Sequence, residues 1–190
     1  MMRIITGSAR GVRLETLPGD TTRPTSERTK EAIFSMLQFD MEGRRVLDLF
    51  AGSGQLGLEA LSRGAASAVF VDRAKEAAAV VSRNAAKTRL QDRAKICVCD
   101  ALSFLSACRE APFHLVFLDP PYAARLLPPV LKKLTESGLL APGATVVAEC
   151  GDPAMLFGGD EALAARYEIL KEKRYGAAHV FVLTPAKEYV

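Results

Sequence analysis

The sequence predicts an α/β fold: a doubly wound, mostly parallel sheet with helices on both faces. Three observations carry that prediction. From about residue 45, short apolar runs alternate with stretches of helical length, as in chains that build a parallel sheet. A glycine-rich turn, Gly52-Ser-Gly54-Gln-Leu-Gly57, follows the first run, where a strand would give way to a helix. Successive runs also end in acids, at Asp72, at Asp119 and at Asp100 just past the third run. In open α/β sheets the ligand crevice lies at the carboxyl ends of the strands, so these acids are expected along one edge.

The elements follow in order. Residues 3–5 and 12–14 are expected as two short strands joined through Gly7–Gly11. A loop rich in Gly, Asp, Thr and Pro leads to a helix over about 26–39, with Thr25 or Ser26 as its cap after Pro24. Strands are expected at 46–50, 68–72, 94–98, 113–119 and 144–150, each too short for a helix and bounded by Gly, Pro, Asp or charge. Helices are expected near 54–63, 74–90, 101–109 and 128–137. The last forty residues predict a hairpin, 167–175 and 179–185, turning at Gly176 and leaving one strand antiparallel to the rest. The change of rhythm near Arg44 divides the chain into an N-terminal hairpin and helix, 1–44, and a main domain, 45–190.

Composition narrows the function classes. With 190 residues, 49% hydrophobic and 25% charged, the chain resembles neither a disordered protein nor a fibre. No charge-free stretch exceeds the length of residues 137–148, against the ~20 apolar residues of a membrane span. The N-terminus shows no apolar core and cleavage site, so a cytoplasmic protein is expected. Cys97, Cys99, Cys108 and Cys150 suit no secreted disulfide framework. Together with His114 the first three match no zinc spacing, so buried thiols and no metal are expected. His114 and His179 read as packing or surface residues, and a monomer is the default. Net charge is +3, and residues 1–30 hold all of that excess, with six basic side chains against three acidic. Arg3, Arg10 and Arg13 are therefore candidates for a phosphate backbone, although a solvated face has the same composition.

The glycine turn points to a nucleotide-bearing ligand. Glycines permit close backbone approach, and Asp72, twenty residues after Gly52, suits ribose hydroxyls. A dinucleotide would set a pyrophosphate against this loop, and Asp48 opposes that charge. S-adenosylmethionine carries a sulfonium and an ammonium and no phosphate, so charge favours it.

The second motif is Asp119-Pro-Pro-Tyr122, just past a strand. Its two prolines hold a stiff extended turn and remove two donors. Asp119 and the Pro120 carbonyl then offer two acceptors for the two hydrogens of an exocyclic or amide NH2, and Tyr122 offers a ring for stacking.

Asp-Pro-Pro-Tyr after such a glycine loop resembles the amino-methyltransferases. More narrowly, Arg3-Ile-Ile-Thr-Gly-Ser-Ala-Arg-Gly, Arg23-Pro-Thr-Ser-Glu-Arg-Thr-Lys-Glu-Ala-Ile-Phe34 and Leu47-Asp-Leu-Phe-Ala-Gly-Ser-Gly54 together resemble the RsmD family over almost the whole chain. That resemblance implies a seven-stranded class I methyltransferase sheet and methylation of guanine N2 in 16S ribosomal RNA of the small subunit. It implies that Phe50, Ala51, Gly52 and Gly54 pass under the methionine part of S-adenosylmethionine, with Asp48 near the ammonium. Asp72 would hold the ribose, Arg73 would cover the adenine, and Asp100 with Ala101 would meet its edge. The segment with Arg23 and Thr25 would receive the methionine carboxylate, and Asp119, Pro120 and Tyr122 would hold the guanine. Three rivals remain: an amino-methyltransferase acting on DNA adenine N6 or another RNA base, an NAD-dependent oxidoreductase on the same loop, and a plain RNA-binding module.

Overall fold

The computed structural model describes residues 2–17, 27–37 and 41–189. Its strands are β1 (Arg45–Asp48), β2 (Ser67–Asp72), β3 (Ala94–Val98), β4 (Phe113–Leu118), β5 (Leu140–Cys150), β6 (Tyr167–Tyr175) and β7 (Ala178–Pro185). Its helices are α1 (Glu27–Met36), α2 (Gln55–Ser62), α3 (Lys75–Thr88), α4 (Ala101–Ala107), α5 (Leu127–Glu136) and α6 (Glu161–Ala164). The strands form one seven-stranded sheet in the order β3-β2-β1-β4-β5-β7-β6. Its ladders run parallel at β1–β2, β2–β3 and β4–β5, and antiparallel where β7 joins β5 and β6. The α/β class and the single reversed strand are thus as the sequence predicts.

The chain divides into two compact units, residues 1–100 and 101–190. In the first, Val46, Leu47, Phe70 and Val71 are wholly buried. Strands covered on both faces read as continuous apolar runs, which is why the 46–50 and 68–72 runs were legible. All eight residues of α2 are buried, although three of them, Gln55, Glu59 and Ser62, are polar. In the second unit Phe113, Leu115, Val116 and Phe117 of β4 have no exposure, and neither have Val130, Leu131 and Leu134 of α5.

Three expectations change. The hairpin of residues 3–5 and 12–14 is a single antiparallel bridge, Arg3 to Arg13. Ladder pairing ends there because Gly11 N–H donates to the Ile4 carbonyl and Val12 N–H turns back to Ala9 O, while the N–H groups of Ile5 and Thr6 donate to the Glu59 carboxylate. Strand β5 begins at Leu140, not 144, and the β4–β5 register shifts between Phe113 and Leu115. Pro142 and Gly143, which read as a loop, are absorbed by that irregularity. Helix α6 was not anticipated; Asp160 caps it, accepting from Leu163 N–H at 2.9 Å.

Candidate active site

In the first unit the glycine turn leaves β1 and enters α2. Gly52 has φ 51 and Gly54 φ 78, a left-handed conformation that side-chain-bearing residues adopt only at a cost. A Cβ on Gly52 would meet nothing within 4 Å, so the loop presents open backbone there. Gly57 serves differently: its Cβ would lie 2.3 Å from the Phe70 ring, so it lets α2 sit directly on β2.

Two acids fix this turn. Asp72, at the end of β2, accepts Gly52 N–H at Oδ2 (2.9 Å) and Ala74 N–H at Oδ1 (2.9 Å). A carboxylate has about four acceptor positions, so two remain for ribose hydroxyls. Asp48 is 2% exposed, and its Oδ2 accepts Gly57 N–H at 3.0 Å. That N–H belongs to the first turn of α2, the group that a phosphate would take at a helix N-terminus. An internal carboxylate holds the position. Phe50 is half-buried and Ala51 buried, with Ala51 N–H donating to Val71 O at 3.0 Å. Arg73 and Asp100 are exposed, and Cys99 N–H donates to Asp72 O (3.1 Å), which holds the two acid-bearing strand ends together. Arg23 and Thr25 lie outside the described residues.

The N-terminal arm is clamped onto the same unit. Glu59, fully buried, accepts from Ile5 N–H (2.7 Å), Thr6 N–H (3.0 Å) and Arg63 Nε (2.9 Å) and pairs with the equally buried Lys30 at 3.7 Å. Lys30 in turn donates to Arg3 O. Asn84, also fully buried, accepts Glu15 N–H (2.8 Å) and donates to Glu15 O (3.0 Å) and Ser53 O (2.9 Å). One amide thus ties α3, the arm and the glycine turn. Arg3, Arg10 and Arg13 stay exposed, and the bridge sets Arg3 opposite Arg13.

Sequence reasoning missed Lys30, Glu59 and Asn84. Only Glu59 gave a local signal, as a lone acid in the run Leu56-Gly-Leu-Glu-Ala-Leu61.

In the second unit Asp119 follows β4, half-buried, with Pro120 buried behind it. Tyr122 opens a short 3-10 turn, Tyr122–Ala124, with Ala124 N–H donating to Pro121 O at 3.0 Å. Arg125 then takes φ 46, which costs a non-glycine residue about 1 kcal/mol, before Leu127 starts α5. Beside this turn lies a shallow depression lined by Pro120, Pro121, Arg125, Glu149 and Cys150 among others. Burial pushes the Cys150 thiol up to about 11, so it is inert. Ala101, buried, opens α4. Cys97, Cys99 and Cys108 are half-buried, not core thiols as expected. Among the described residues no group of three His, Cys, Asp or Glu side chains could hold a metal, and no helix is long and apolar enough to cross a membrane.

The family described as "Conserved hypothetical protein 95" matches residues 2–184. A Bacillus subtilis relative, YlbH, named provisionally as an rRNA methyltransferase, is 43% identical over 150 residues, 78% of this chain and 82% of its own. The "Ribosomal RNA small subunit methyltransferase D" of Escherichia coli is 37% identical over 148 residues, 78% of this chain and 74% of its own. Among solved structures, the Escherichia coli protein yhhF, named provisionally as a methyltransferase, superimposes with a TM-score of 0.82 at 31% identity, covering 97% of both chains. The fold is that of the class I methyltransferases.

Proposed function

The chain belongs to the RsmD family of methyltransferases, and we propose that it transfers a methyl group from S-adenosylmethionine to the exocyclic N2 of a guanine in 16S ribosomal RNA of the small subunit. It would act as a monomer in the cytoplasm, with the small subunit or an assembly intermediate as partner. The observation that carries the choice of cofactor is the Gly57 N–H donated to Asp48. A dinucleotide's pyrophosphate would find its helix N-terminus already holding a carboxylate, which argues against the oxidoreductase alternative, whereas a cationic ligand gains from that charge.

S-adenosylmethionine, when bound, supplies an electrophilic methyl on a sulfonium. The residues that would hold it are Phe50–Gly54 under the methionine part, Asp48 toward the ammonium and Asp72 toward the ribose. Arg73 would cover the adenine, with Asp100 and Ala101 at its edge. Arg23 and Thr25 would meet the carboxylate. Asp119 and the Pro120 carbonyl would accept the two N2 hydrogens, and Tyr122 would stack on the base. The N2 lone pair of guanine is delocalised into the ring and attacks poorly. Two acceptors on its hydrogens favour a pyramidal nitrogen and counter the positive charge that develops in transfer. Asp119 need not be a strong base, because the proton becomes acidic once the methyl is attached. A stacked base must first be brought out, at a cost of a few kcal/mol. Exposed Arg3, Arg10 and Arg13 would contact the RNA backbone.

The test is transfer of labelled methyl to small subunits lacking the modification, naked 16S RNA, large subunits and unmethylated DNA, with nucleoside analysis of each. N2-methylguanosine from small-subunit material is the expected product. N6-methyladenine in DNA would keep the chemistry and overturn the substrate, and no label with no cofactor binding would overturn both.

A further inference from the structure

We propose that Glu149 reads the Watson–Crick edge of the target guanine by accepting its N1–H, with Arg125 donating to O6. The inference rests on the guanine-N2 reading above and adds the means by which the base is selected. Leu118 of β4 is registered with Ala148 of β5, so Glu149 lies one position further on, level with Asp119 on a neighbouring strand. Parallel neighbours are about 4.8 Å apart, within reach of a single base edge. Glu149 is the only charged residue in Leu140–Cys150 and is 8% exposed, so its carboxylate is set into an otherwise uncharged strand. It lines the depression beside Pro120 and Pro121, as Arg125 does. Arg125 is held there in a left-handed conformation, the kind of strain that persists where a side chain's direction matters.

The chemistry of guanine fits this set. Its edge presents N2–H2 and N1–H as adjacent donors and O6 as an acceptor. Asp119 and the Pro120 carbonyl would use the N2 hydrogens, leaving N1–H in need of one more acceptor on the same side. An ionised carboxylate only accepts and a guanidinium only donates, so Glu149 and Arg125 complement N1–H and O6 in turn. Adenine offers an acceptor at N1 and a donor at C6, the reverse of both.

The experiment uses the full chain and small-subunit RNA carrying either guanosine or 2-aminopurine riboside at the methylated position. 2-Aminopurine keeps the N2 amino group, but its N1 is an acceptor and it lacks O6. For the wild-type protein kcat/KM is expected to favour guanine by about tenfold or more. Glu149→Gln, whose amide can donate to N1, should narrow or invert that preference while S-adenosylmethionine affinity stays as in wild type. Arg125→Ala should lose more rate on guanine than on 2-aminopurine. Should the Gln variant fail to fold, Glu149→Asp gives the same answer: its shorter reach should lower the ratio of guanine to 2-aminopurine transfer. An unaltered guanine to 2-aminopurine ratio in a folded Glu149 variant overturns the inference. If the wild-type chain makes no N2-methylguanosine, the functional reading itself fails, a distinct result that removes the ground for this one.

Discussion

The turn in the first unit and the turn in the second are fixed by different means. Around Gly52–Gly57 the backbone is held by side chains outside the turn: Asp72 on Gly52 N–H, Asp48 on Gly57 N–H, and Asn84 on Ser53 O. Around Asp119–Tyr122 two successive prolines restrict the chain covalently, and a short 3-10 turn follows. A hydrogen-bonded cradle can be loosened one bond at a time, so its variants should grade. A proline-stiffened turn keeps its shape when a side chain is lost, so its variants should separate chemistry from structure.

The largest effect should come from the second turn. Asp119→Ala removes one of the two proposed acceptors without touching the prolines. Turnover should fall by about 10³, the scale of losing one preorganised transition-state contact. Cofactor affinity should stay within about threefold, because the variant leaves the first unit intact. Single-turnover methyl transfer together with calorimetric titration reads both quantities. Near-wild-type turnover would sink the assignment of Asp119 and, with it, the comparison.

In the first unit the sharpest structural test is where the arm touches α2. Gly7 has φ 86, and a Cβ there would lie 1.8 Å from the Ser62 carbonyl oxygen. Backbone cannot give way as a side-chain tip does, so Gly7→Ala should undock the arm. A loss of about 3 kcal/mol in urea unfolding is expected, in the range of strain plus broken buried bonds. Arm and unit are joined through Glu59, Ser62 and Asn84, so RNA use should weaken in the same variant. An unfolding midpoint like that of wild type would mean that the arm is not held as described.

Asn84→Ala should be milder and more informative. It deletes one side chain that makes three hydrogen bonds, two to Glu15 and one to Ser53. Leaving those backbone groups without the amide should cost about 2 kcal/mol. Because Ser53 lies within the glycine turn, cofactor affinity should also drop. In Asp119→Ala it should not, and this contrast tests the two modes of fixation directly.

How much of this was legible in the sequence follows from the same contrast. Chemistry written in contiguous residues could be read: the glycine turn, Asp72 at its strand end, Asp119-Pro-Pro-Tyr122, and the apolar runs of a sheet buried on both faces. The locks could not, because their meaning depends on partners remote in the chain. Lys30 looks like one more arginine-like charge on an amphipathic helix until Glu59 and the Arg3 carbonyl surround it. Asn84 sits beside Arg83 and near Lys87 in α3, and nothing in its own neighbourhood marks it as a buried polar group. The expected N-terminal hairpin failed for a related reason: its turn closes early, through Gly11 N–H on Ile4 O, and Glu59 holds the N–H groups of Ile5 and Thr6 that follow. Propensity describes what a segment prefers alone, and a buried carboxylate elsewhere overrode it.

The smallest effect belongs to the arm's surface. Arg10 and Arg13 are exposed and take no part in the buried clamp, so Arg10→Ala with Arg13→Ala should leave unfolding and cofactor affinity unchanged. Exposed charges act on a phosphate backbone through counterion release, so the double variant should raise the KM for RNA several-fold at low salt. Its slope of log KM against log salt should flatten by about 2, roughly one unit per lost phosphate contact. A change in maximal rate at saturating RNA would instead place these arginines near the reacting base. An unchanged salt slope would assign RNA docking to another face, leaving the clamped arm as a support for the glycine turn. The measurement therefore decides whether the hydrogen-bonded unit fixes one ligand or two, since Asn84 joins the same arm to the same turn.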